Sequence, residues 1–458
     1  MKTWLNTYFR IEESGSTIKR EFAGGLTAFL SMSYVIFVNP IILGNAGMPE
    51  DAVFMATILS SAIAMLIMGL YARFPLGLAP CMSMNAFFAF SVVLGMGMAW
   101  EVALAAVLVS SVLFIMLSFS GIRAKIIKGI PLPIKQAGNV GLGLFIAFVS
   151  FKNAGIIVPD SSMFITFGGF HNPNVVIAIV GVLTAAFFLV KKNQYAVFFG
   201  MVGAAVCGLL IRLGVDMGWL SMAPEIAATL PQLPAGSPIV VPVGPMQSMI
   251  DNTLFVGFKN LGELLNPQAI IVVLTFLFLD FFGTATTLSA AASQIPDLPA
   301  EAFENNHRIY VADAVGTFVG GVLGTSNLST YIESVSGIIN GARTGLMAVV
   351  TACLFLLSVF IYPLLSLVTA AVTTPAMVVI GIFMMQNIVN IDWRGGYEVI
   401  VPSFITIVMM PLTGSIALGL TMGFVSYELC MIFAGKHKEL GWIMHGITLV
   451  SIAYMITL

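Results

Sequence analysis

The chain has 458 residues, of which 59% are hydrophobic and 9% are charged, and its formal net charge is −2. Soluble domains carry about 25% charged residues, so this composition excludes an ordinary soluble protein and is typical of a membrane protein. A net charge this close to zero does not indicate nucleic-acid binding. The cysteines and histidines show no metal-ligand spacing, so we expect no metal or other cofactor.

Apolar stretches recur along the chain, each roughly 18 to 25 residues long, which is the length that a helix needs to cross the hydrocarbon core. Residues 1–21 are polar and are predicted to be cytoplasmic. Fourteen crossings are predicted, in chain order, at 22–45, 51–72, 81–99, 101–120, 134–150, 174–190, 195–213, 268–292, 308–324, 329–341, 345–362, 375–390, 398–411 and 413–434. The apolar segment 435–458 fits a fifteenth span or an interfacial helix, and the sequence leaves this choice open.

The positive charges test this topology. If the N-terminus is cytoplasmic, only Lys152, Arg212 and Lys259 of the 19 lysines and arginines fall outside. Lysine and arginine concentrate in cytoplasmic loops when a topology is correct. The charge distribution therefore supports both the number of crossings and the cytoplasmic N-terminus.

The crossings divide into two sets of seven, separated by the long connection 214–267. An odd number in each half means that the halves enter the membrane from opposite sides, which predicts an inverted repeat. "MNAFFAFSVV" around Asn85 and "STYIESVSGI" around Thr330 occupy corresponding places in the two halves. The connection is rich in proline and then amphipathic, which predicts an extended stretch followed by a surface helix outside the cell.

Two acidic residues are predicted to lie within spans. Asp280 lies in "TFLFLDFFGTATTLSA" and Glu333 lies in "LSTYIESVSG", whereas most other acidic residues fall in loops or near helix ends. A charged side chain at the bilayer centre costs about 2.5–3.5 kcal/mol on insertion scales, so such residues are usually functional. For each acid taken alone, a protonated or hydrogen-bonded structural role is the alternative.

Two interrupted helices are predicted at matching places. "FPLGLAPCMSMNAFF" and "GGVLGTSNLSTYIES" each put a segment rich in glycine, proline or hydroxyl groups before a short apolar run. Paired discontinuous helices near the bilayer midplane indicate the binding site of a transporter. Glu333 would lie in the first turn of one half-helix, where the positive end of the helix dipole favours a carboxylate.

Aromatic residues flank these polar positions, namely Phe87, Phe88, Phe281, Phe282 and Tyr331. Aromatic residues in membrane helices more often serve packing, but here they could sandwich a flat ring. Carboxylates nearby would accept hydrogen bonds from its N–H groups. A planar heterocycle is therefore the predicted ligand.

The chain resembles a known family in several segments, which are "AGGLTAFLSMSYVIFVNP", "GLAPCMSMNAFFAF", "GLGLFIAFVSFKNAGI", "ADAVGTFVGGVLGTSNLSTYIESVSGIINGARTGL" and "FITIVMMPLTGSIALG". They are similar to the nucleobase–cation symporters, in the azaguanine-resistance-like purine permease branch, over about residues 20–434. The resemblance implies uptake of adenine, guanine or hypoxanthine by proton symport. It also implies seven-plus-seven inverted helices, arranged as a core and a gate domain, and a homodimer.

The resemblance also implies roles for individual residues. Glu333 matches the base-binding acid of the tenth crossing, and Asp280 matches its counterpart in the eighth. The family pattern has a second acid shortly after the first, which "DFFGTATT" lacks. The predicted substrate-binding residues are Glu333, Asp280, Asn85, Thr330, Tyr331, Phe87, Phe88, Phe281, Thr284, Thr27 and Ser31, and the predicted proton-coupling residues are Asp280 and Glu333.

The predicted fold class is an all-α polytopic membrane protein with about 14 transmembrane helices and discontinuous helices three and ten. The predicted core takes residues 22–122 and 268–362, and the predicted gate takes residues 131–213 and 363–434. Motion of the core against the gate would give alternating access, driven by the proton gradient. The expected partners are a purine nucleobase, protons, the lipid of the bacterial inner membrane and a second copy of the chain.

The sequence also allows other functions to be considered. An anion transporter of the same architecture, for sulfate or dicarboxylates, is disfavoured because two acids at midplane would repel the substrate. A uracil or xanthine permease and a passive channel remain alternatives. An intramembrane protease would need aspartate or histidine motifs that do not occur, so we predict a transporter and not an enzyme.

Overall fold

The computed structural model describes residues 2–120, 131–160, 164–193, 195–234, 236–237, 239–292 and 307–457. A few side chains within these ranges, including that of Phe281, lie outside the described part. The three basic residues predicted to be cytoplasmic within 121–130 also lie outside it.

The described chain is almost entirely helical. The helices are α1 Lys2–Phe9, α2 Ile18–Met32, α3 Val35–Gly44, α4 Glu50–Ile67, α5 Met82–Ala86, α6 Trp100–Ser120, α7 Leu132–Asn153, α8 Pro173–Val190, α9 Ala196–Asp216, α10 Pro224–Ala228, α11 Val243–Asn252, α12 Val256–Lys259, α13 Pro267–Ala292, α14 His307–Leu323, α15 Val335–Ile339, α16 Gly345–Ser358, α17 Ala370–Met385, α18 Tyr397–Thr413, α19 Ile416–Phe433 and α20 Trp442–Thr457. The strands are β1 Leu78–Pro80, β2 Ile157–Asp160, β3 Phe164–Phe167 and β4 Leu328–Thr330. Two π-helical segments, Met68–Ala72 and Phe87–Gly95, continue α4 and α5.

Eight helices of the described part are long and apolar enough to cross a membrane, and four shorter helices are also apolar. The predicted class, an all-helical polytopic membrane protein, is confirmed. The number of crossings, fourteen, stays a prediction. Helix α20 has 16 residues, which at about 1.5 Å per residue is shorter than the hydrocarbon core, so its predicted placement as a span or an interfacial helix is still open.

The chain forms two compact units, each built from an early and a late stretch. Unit 1 takes the described residues of Met1–Ile130, Val241–Val359 and Ile456–Leu458, and unit 2 takes those of Pro131–Val240 and Phe360–Met455.

Unit 1 interleaves helices from both halves of the sequence. Helix α2 packs against α15 and α16, helix α4 packs against α14 and α16, and helix α6 packs against α13 and α14. Strands β1 and β4, one from each half, pair as an antiparallel ribbon. The helices of the two halves therefore build one body around this ribbon.

Glycines allow the helices of unit 1 to approach closely. A Cβ atom on Gly337 would lie 2.5 Å from the carbonyl oxygen of Gly24, and one on Gly345 would lie 2.1 Å from that of Gly69. These contacts leave no room for a side chain. Gly341 serves a different purpose, because its φ of +98° is a turn conformation that favours glycine.

The predicted helix 329–341 is wrong in its first part. Leu328–Thr330 is strand β4, a 3₁₀ turn follows at Ile332–Ser334, and α15 begins at Val335. Likewise, an extended segment, Leu78–Pro80, precedes the third crossing. The polar backbone of these extended segments is satisfied because they pair with each other, which is how irregular backbone is tolerated at membrane depth. The predicted interruption of both helices is confirmed.

Unit 2 is a separate helical body. Helix α7 packs against α17, α18 and α19, and α17 also packs against α8 and α9. An apolar cluster of Ala137, Val140, Ile391 and Ile407 joins α7 to the later stretch. The hairpin of β2 and β3 follows α7.

The connection 214–267 contains three short helices, α10 to α12. Helix α11 packs against α4, where Ser248 Oγ donates a hydrogen bond of 2.9 Å to Asp51 Oδ1. Thr253 Oγ1 donates to the carbonyl of Leu323 at 2.9 Å. The later part of the connection is thus a fixed part of unit 1.

Candidate functional site

The β1–β4 ribbon is the centre of the candidate site. Leu78 pairs with Thr330 and Pro80 pairs with Leu328. Beyond the ribbon, Cys81 N donates to Asn327 O and Tyr331 N donates to Gly77 O, each at 2.9 Å. Because the strands are antiparallel, the helices that follow them leave from opposite ends of the ribbon. Both interrupted helices therefore begin beside the same short ribbon.

Asp280 is buried behind the ribbon, on α13, with 1% of its surface exposed. Its Oδ2 accepts hydrogen bonds from Thr317 Oγ1 at 3.0 Å and from Asn327 Nδ2 at 3.2 Å. The Thr317 hydroxyl also lies 2.7 Å from the carbonyl oxygen of Leu328 in β4. Asp280 thus joins α13 and α14 to residues 325–327, the segment that leads into β4 and is called here the approach.

A second carboxylate, Asp313 on α14, was missed by the sequence analysis. It is completely buried, and its Oδ2 accepts a short hydrogen bond from Thr284 Oγ1. The Thr284 hydroxyl lies 3.1 Å from Ser329 Oγ in β4. The predicted site residue Thr284 is therefore a bridge between Asp313 and the ribbon.

The two acids and two threonines form a reciprocal arrangement. "DFFGT" on α13 and "DAVGT" on α14 share the spacing D-x-x-G-T, and residues four apart lie on one face of a helix. The acid of each helix binds the threonine of the other. The repeated motif is the sequence signal that could have revealed Asp313.

Glu333 differs from these acids because its side chain is partly exposed. It lies in the 3₁₀ turn after β4, and its Oε1 accepts a hydrogen bond of 2.8 Å from Tyr34 Oη. Tyr331 is buried and donates its hydroxyl to the carbonyl of Pro80. The rings of Tyr34 and Tyr331 lie 6.5 Å apart. Tyr34, which was not among the predicted site residues, therefore binds the carboxylate directly, and Tyr331 lies beside Tyr34.

Asp280 and Glu333 lie near opposite ends of β4. Asp280 contacts Asn327, immediately before the strand, and Glu333 comes shortly after its end. A single bound ligand contacting both acids stays a prediction.

Asn85 is completely buried and its amide is engaged by protein groups. Its Nδ2 donates to Asn39 Oδ1 at 2.5 Å, and its Oδ1 accepts from Ser326 Oγ. Asn39 Nδ2 in turn donates to Thr57 Oγ1 at 2.6 Å and Thr325 Oγ1 at 2.9 Å. These contacts fasten the start of α5 to the approach to β4, and the predicted substrate contact of Asn85 stays a prediction.

Replacing Asn85 with Ala is expected to lower the melting temperature of the purified protein. The change leaves Asn39 Oδ1 and the Ser326 hydroxyl without this partner, and an unsatisfied buried polar group costs about 1–3 kcal/mol. Asn45→Ala is the matched control, because Asn45 is exposed and bonds within its own helix. Equal melting temperatures for the two variants would contradict a fastening role.

The remaining predicted residues lie around this site. Thr27 Oγ1 accepts from Asn340 Nδ2 at 2.8 Å, and Ser31 Oγ lies 3.2 Å from Ser336 Oγ, so both join α2 to the tenth crossing or the turn after it. Thr330 Oγ1 is buried in β4 and has no hydrogen-bond partner among the described residues, and the same holds for Asn327 Oδ1. Both oxygens are buried, so a ligand would reach them only if the surrounding residues moved.

The predicted aromatic residues are more buried than a stacking surface requires. Phe87 and Phe88 are fully buried and pack against Phe276, with ring centroids 5.0 and 6.3 Å apart. Their predicted stacking on a ligand stays a prediction, and the Phe281 side chain lies outside the described part. Within the described part, no group of three His, Cys, Asp or Glu could hold a metal ion.

Residues 19–422 match a family model described as the permease family, whose members are nucleobase/ascorbate transporters. The chain belongs to this family. The permease is therefore an integral membrane transporter and not an enzyme, as predicted.

Two curated relatives match the permease over nearly its whole length. The guanine/hypoxanthine permease PbuG of Bacillus subtilis is 41% identical over 99% of this chain and 100% of its own. The adenine permease AdeQ of Escherichia coli is 32% identical over 95% of this chain and 92% of its own.

The permease also shares its fold with a solved structure, the transmembrane domain of the cyanobacterial bicarbonate transporter BicA. The two align with a TM-score of 0.60 and 14% identity, over 89% of this chain and 97% of that domain. At this identity the similarity shows the fold alone.

Proposed function

We propose that the permease imports a purine nucleobase, namely guanine, hypoxanthine or adenine, by proton symport. Relatives that match nearly the whole chain are named as permeases for these bases. The proposed location is the bacterial inner membrane, with the N-terminus in the cytoplasm, and the proposed assembly is a homodimer.

The Glu333 carboxylate is the observation that supports a nucleobase most directly. It is partly exposed at the start of an interrupted helix, and the Tyr34 hydroxyl holds one of its oxygens. A carboxylate offers about four acceptor positions on two oxygens, so Glu333 can still accept hydrogen bonds from the N–H groups of a purine. In this proposal Glu333 binds the base.

Hydrogen counting supports Asp280 as the proton carrier. The Thr317 hydroxyl has one hydrogen but lies between two acceptors, Asp280 Oδ2 and the carbonyl oxygen of Leu328. Leu328 and Pro80 form a non-hydrogen-bonded pair of the ribbon, because the bonded pairs are those on either side of it, so the Leu328 carbonyl points away from β1. If Thr317 donates to the nearer Leu328 oxygen, the contact with Asp280 is a hydrogen bond only when the carboxyl holds a proton. The contact between Asp280 and Thr317 is therefore a hydrogen bond when Asp280 is neutral.

Asp313 supplies a second buried carboxylate, on the helix that follows. It is joined to β4 through Thr284 and Ser329, as Asp280 is joined through Thr317 and Asn327. Two carboxylates that interact strongly release their protons as a pair. We propose that proton release by this pair and base release at Glu333 are linked by movement of β4.

We propose an elevator-like cycle in which unit 1 is the core and unit 2 is the gate. The contacts of Asp280, Asp313, Asn85 and Glu333 described above all lie within unit 1. Movement of unit 1 as a whole would carry base and proton together from one side of the membrane to the other.

An anion substrate is the second candidate, because the fold is shared with a bicarbonate transporter. The charges of the buried residues disfavour an anionic substrate. Among the described residues, the buried set contains Glu21, Asp280 and Asp313 but no lysine or arginine. An anion would therefore meet carboxylates without a compensating cation.

An uptake panel in proteoliposomes tests the proposal. With an inward proton gradient, we expect saturable accumulation of at least one labelled purine, and its loss when a protonophore collapses the gradient. Xanthine, uracil and sulfate are measured in parallel. Accumulation of sulfate instead of a purine would favour the anion candidate, and non-saturable flux would indicate a passive pore.

A further inference from the structure

A surface cavity of unit 1 is lined by residues that do not belong to the candidate site, and its composition favours one class of ligand. Its volume is about 380 Å³, and its lining residues are Tyr8, Leu70, Tyr71, Arg73 and Arg308. Small-molecule sites have volumes of about 300–1,000 Å³ and a few convergent polar groups. The cavity is therefore large enough for a phosphate group and part of the molecule that carries it.

The cavity is basic and aromatic. The Arg73 guanidinium lies 4.5 Å from the centre of the Tyr8 ring, and that of Arg308 lies 5.8 Å from the centre of the Tyr71 ring. No acidic residue of the described part lines the cavity, and Arg73 forms no ion pair with any described residue. Two guanidinium groups around one hollow favour an anion with several acceptor oxygens, as phosphate has.

Arg73 is held in place before any ligand arrives. Its φ of +53° is a left-handed conformation, and its backbone N–H caps the preceding π-helical segment at Met68 O. A Cβ atom on Gly345 would lie 2.8 Å from the Arg73 Cα, so the two backbones are in direct contact. The backbone that carries this guanidinium is therefore fixed, although the residue itself is exposed.

The N-terminal helix α1 closes one wall of the cavity. Tyr8 Oη donates to the carbonyl of Leu70 at 3.0 Å, and the Trp4 ring stacks on the Tyr8 ring at 5.3 Å. The next residues, Phe9 and Ile11, are buried against Leu346. This wall is thus a packed part of unit 1.

The surroundings of the cavity fit the surface of a bilayer. Trp4, Leu70 and Tyr71 are 60%, 40% and 45% exposed, and aromatic residues gather at the membrane interface. The charge-based topology puts the N-terminus, Arg73 and Arg308 on the cytoplasmic side. Lipid headgroups and soluble anions can both reach a basic cavity at the membrane surface.

We propose that this cavity binds a phosphate group, with Arg73 and Arg308 as the donors and the Tyr8 and Tyr71 rings as their supports. The phosphate belongs to an anionic lipid headgroup or to a soluble phosphate compound, and the two arms of the experiment separate these sources.

The lipid arm uses the full chain in mild detergent with equal amounts of phosphatidylglycerol and phosphatidylcholine. Native mass spectrometry then measures the ratio of the two lipids that stay bound. We expect the double variant Arg73→Gln/Arg308→Gln to lower this ratio by a factor on the order of 30, since each basic residue near an anionic surface contributes about 1 kcal/mol. The control is Lys191→Gln/Lys192→Gln, because both lysines are exposed and this double change removes the same two charges from the same predicted side.

The soluble arm measures the melting temperature with inorganic phosphate and with chloride at matched ionic strength. Stabilisation by phosphate that the double variant loses supports a soluble ligand, and lipid selectivity that the variant loses supports a headgroup. If the Arg73→Gln/Arg308→Gln variant matches the Lys191→Gln/Lys192→Gln control in both arms, the proposal is overturned. If the double variant does not fold, the single variants Arg73→Gln and Arg308→Gln replace it, and each is expected to lower the lipid ratio about fivefold.

Discussion

Glu333→Gln is expected to lower the rate of purine uptake about 100-fold, because a hydrogen bond to a charged group contributes up to about 3 kcal/mol. Glutamine keeps the size of the side chain but turns one acceptor oxygen into a donor. A purine N–H would then face an NH₂ group instead of a carboxylate oxygen. The measurement is the initial rate of labelled purine uptake into proteoliposomes, with the melting temperature checked in parallel.

Two further variants sharpen this test. Tyr34→Phe removes the hydroxyl that binds Glu333 Oε1 at 2.8 Å but leaves the carboxylate, so we expect a partial loss of uptake. Glu225→Gln changes an exposed glutamate of α10 and should leave uptake unchanged. Normal uptake by the Glu333→Gln variant would remove Glu333 from the site.

Asp280→Asn is expected to separate transport from the proton gradient while purine exchange continues. Asparagine cannot carry the proton, but its Nδ2 can donate to Thr317 Oγ1 as a protonated carboxyl would. The variant should therefore resemble the neutral form of Asp280 permanently. We expect equilibrium exchange of labelled purine to persist and accumulation driven by the gradient to disappear.

The measurement compares exchange and accumulation in the same vesicles. Asp251→Asn is the control, because Asp251 is exposed and bonds to Gln247 within α11. Asp313→Asn tests whether the two carboxyls act as a pair, in which case the pH at which uptake is half-maximal shifts without loss of exchange. Accumulation of purine against its gradient by the Asp280→Asn variant would exclude Asp280 as the carrier.

The two halves of unit 1 use similar bonds but different chemistry. In the first half, Asn39 binds Thr57 of the next crossing and Thr325 of the approach to β4. In the second half, Thr284 binds Asp313 of the next crossing and Ser329 of β4. The first half pairs an amide on its first crossing with a threonine on the next, whereas the second half pairs a threonine on its first crossing with an acid on the next. Both halves of the inverted repeat therefore contain hydrogen bonds of this kind between crossings, whereas the buried carboxylates Asp280 and Asp313 both belong to the second half.

Most of the fold class could be predicted because its signals are local. Three such signals are visible along the chain. They are the lengths of the apolar stretches, the positions of lysine and arginine, and the polar breaks before the third and tenth crossings. Asp280 and Glu333 were found in the same way, since an acid inside an apolar run is conspicuous without any knowledge of its neighbours.

Tertiary structure decided which groups meet. The pairing of β1 with β4, the hydrogen bond from Tyr34 to Glu333 and the Asn39–Asn85 contact join residues from distant parts of the sequence. Asp313 was not predicted as a site residue, because the sequence of its span is typical of an ordinary membrane helix. Its role depends on a hydrogen bond with Thr284 of another helix. Hydropathy determines which segments enter the membrane, but a buried polar group must find a partner in three dimensions, and only the packed helices specify that partner.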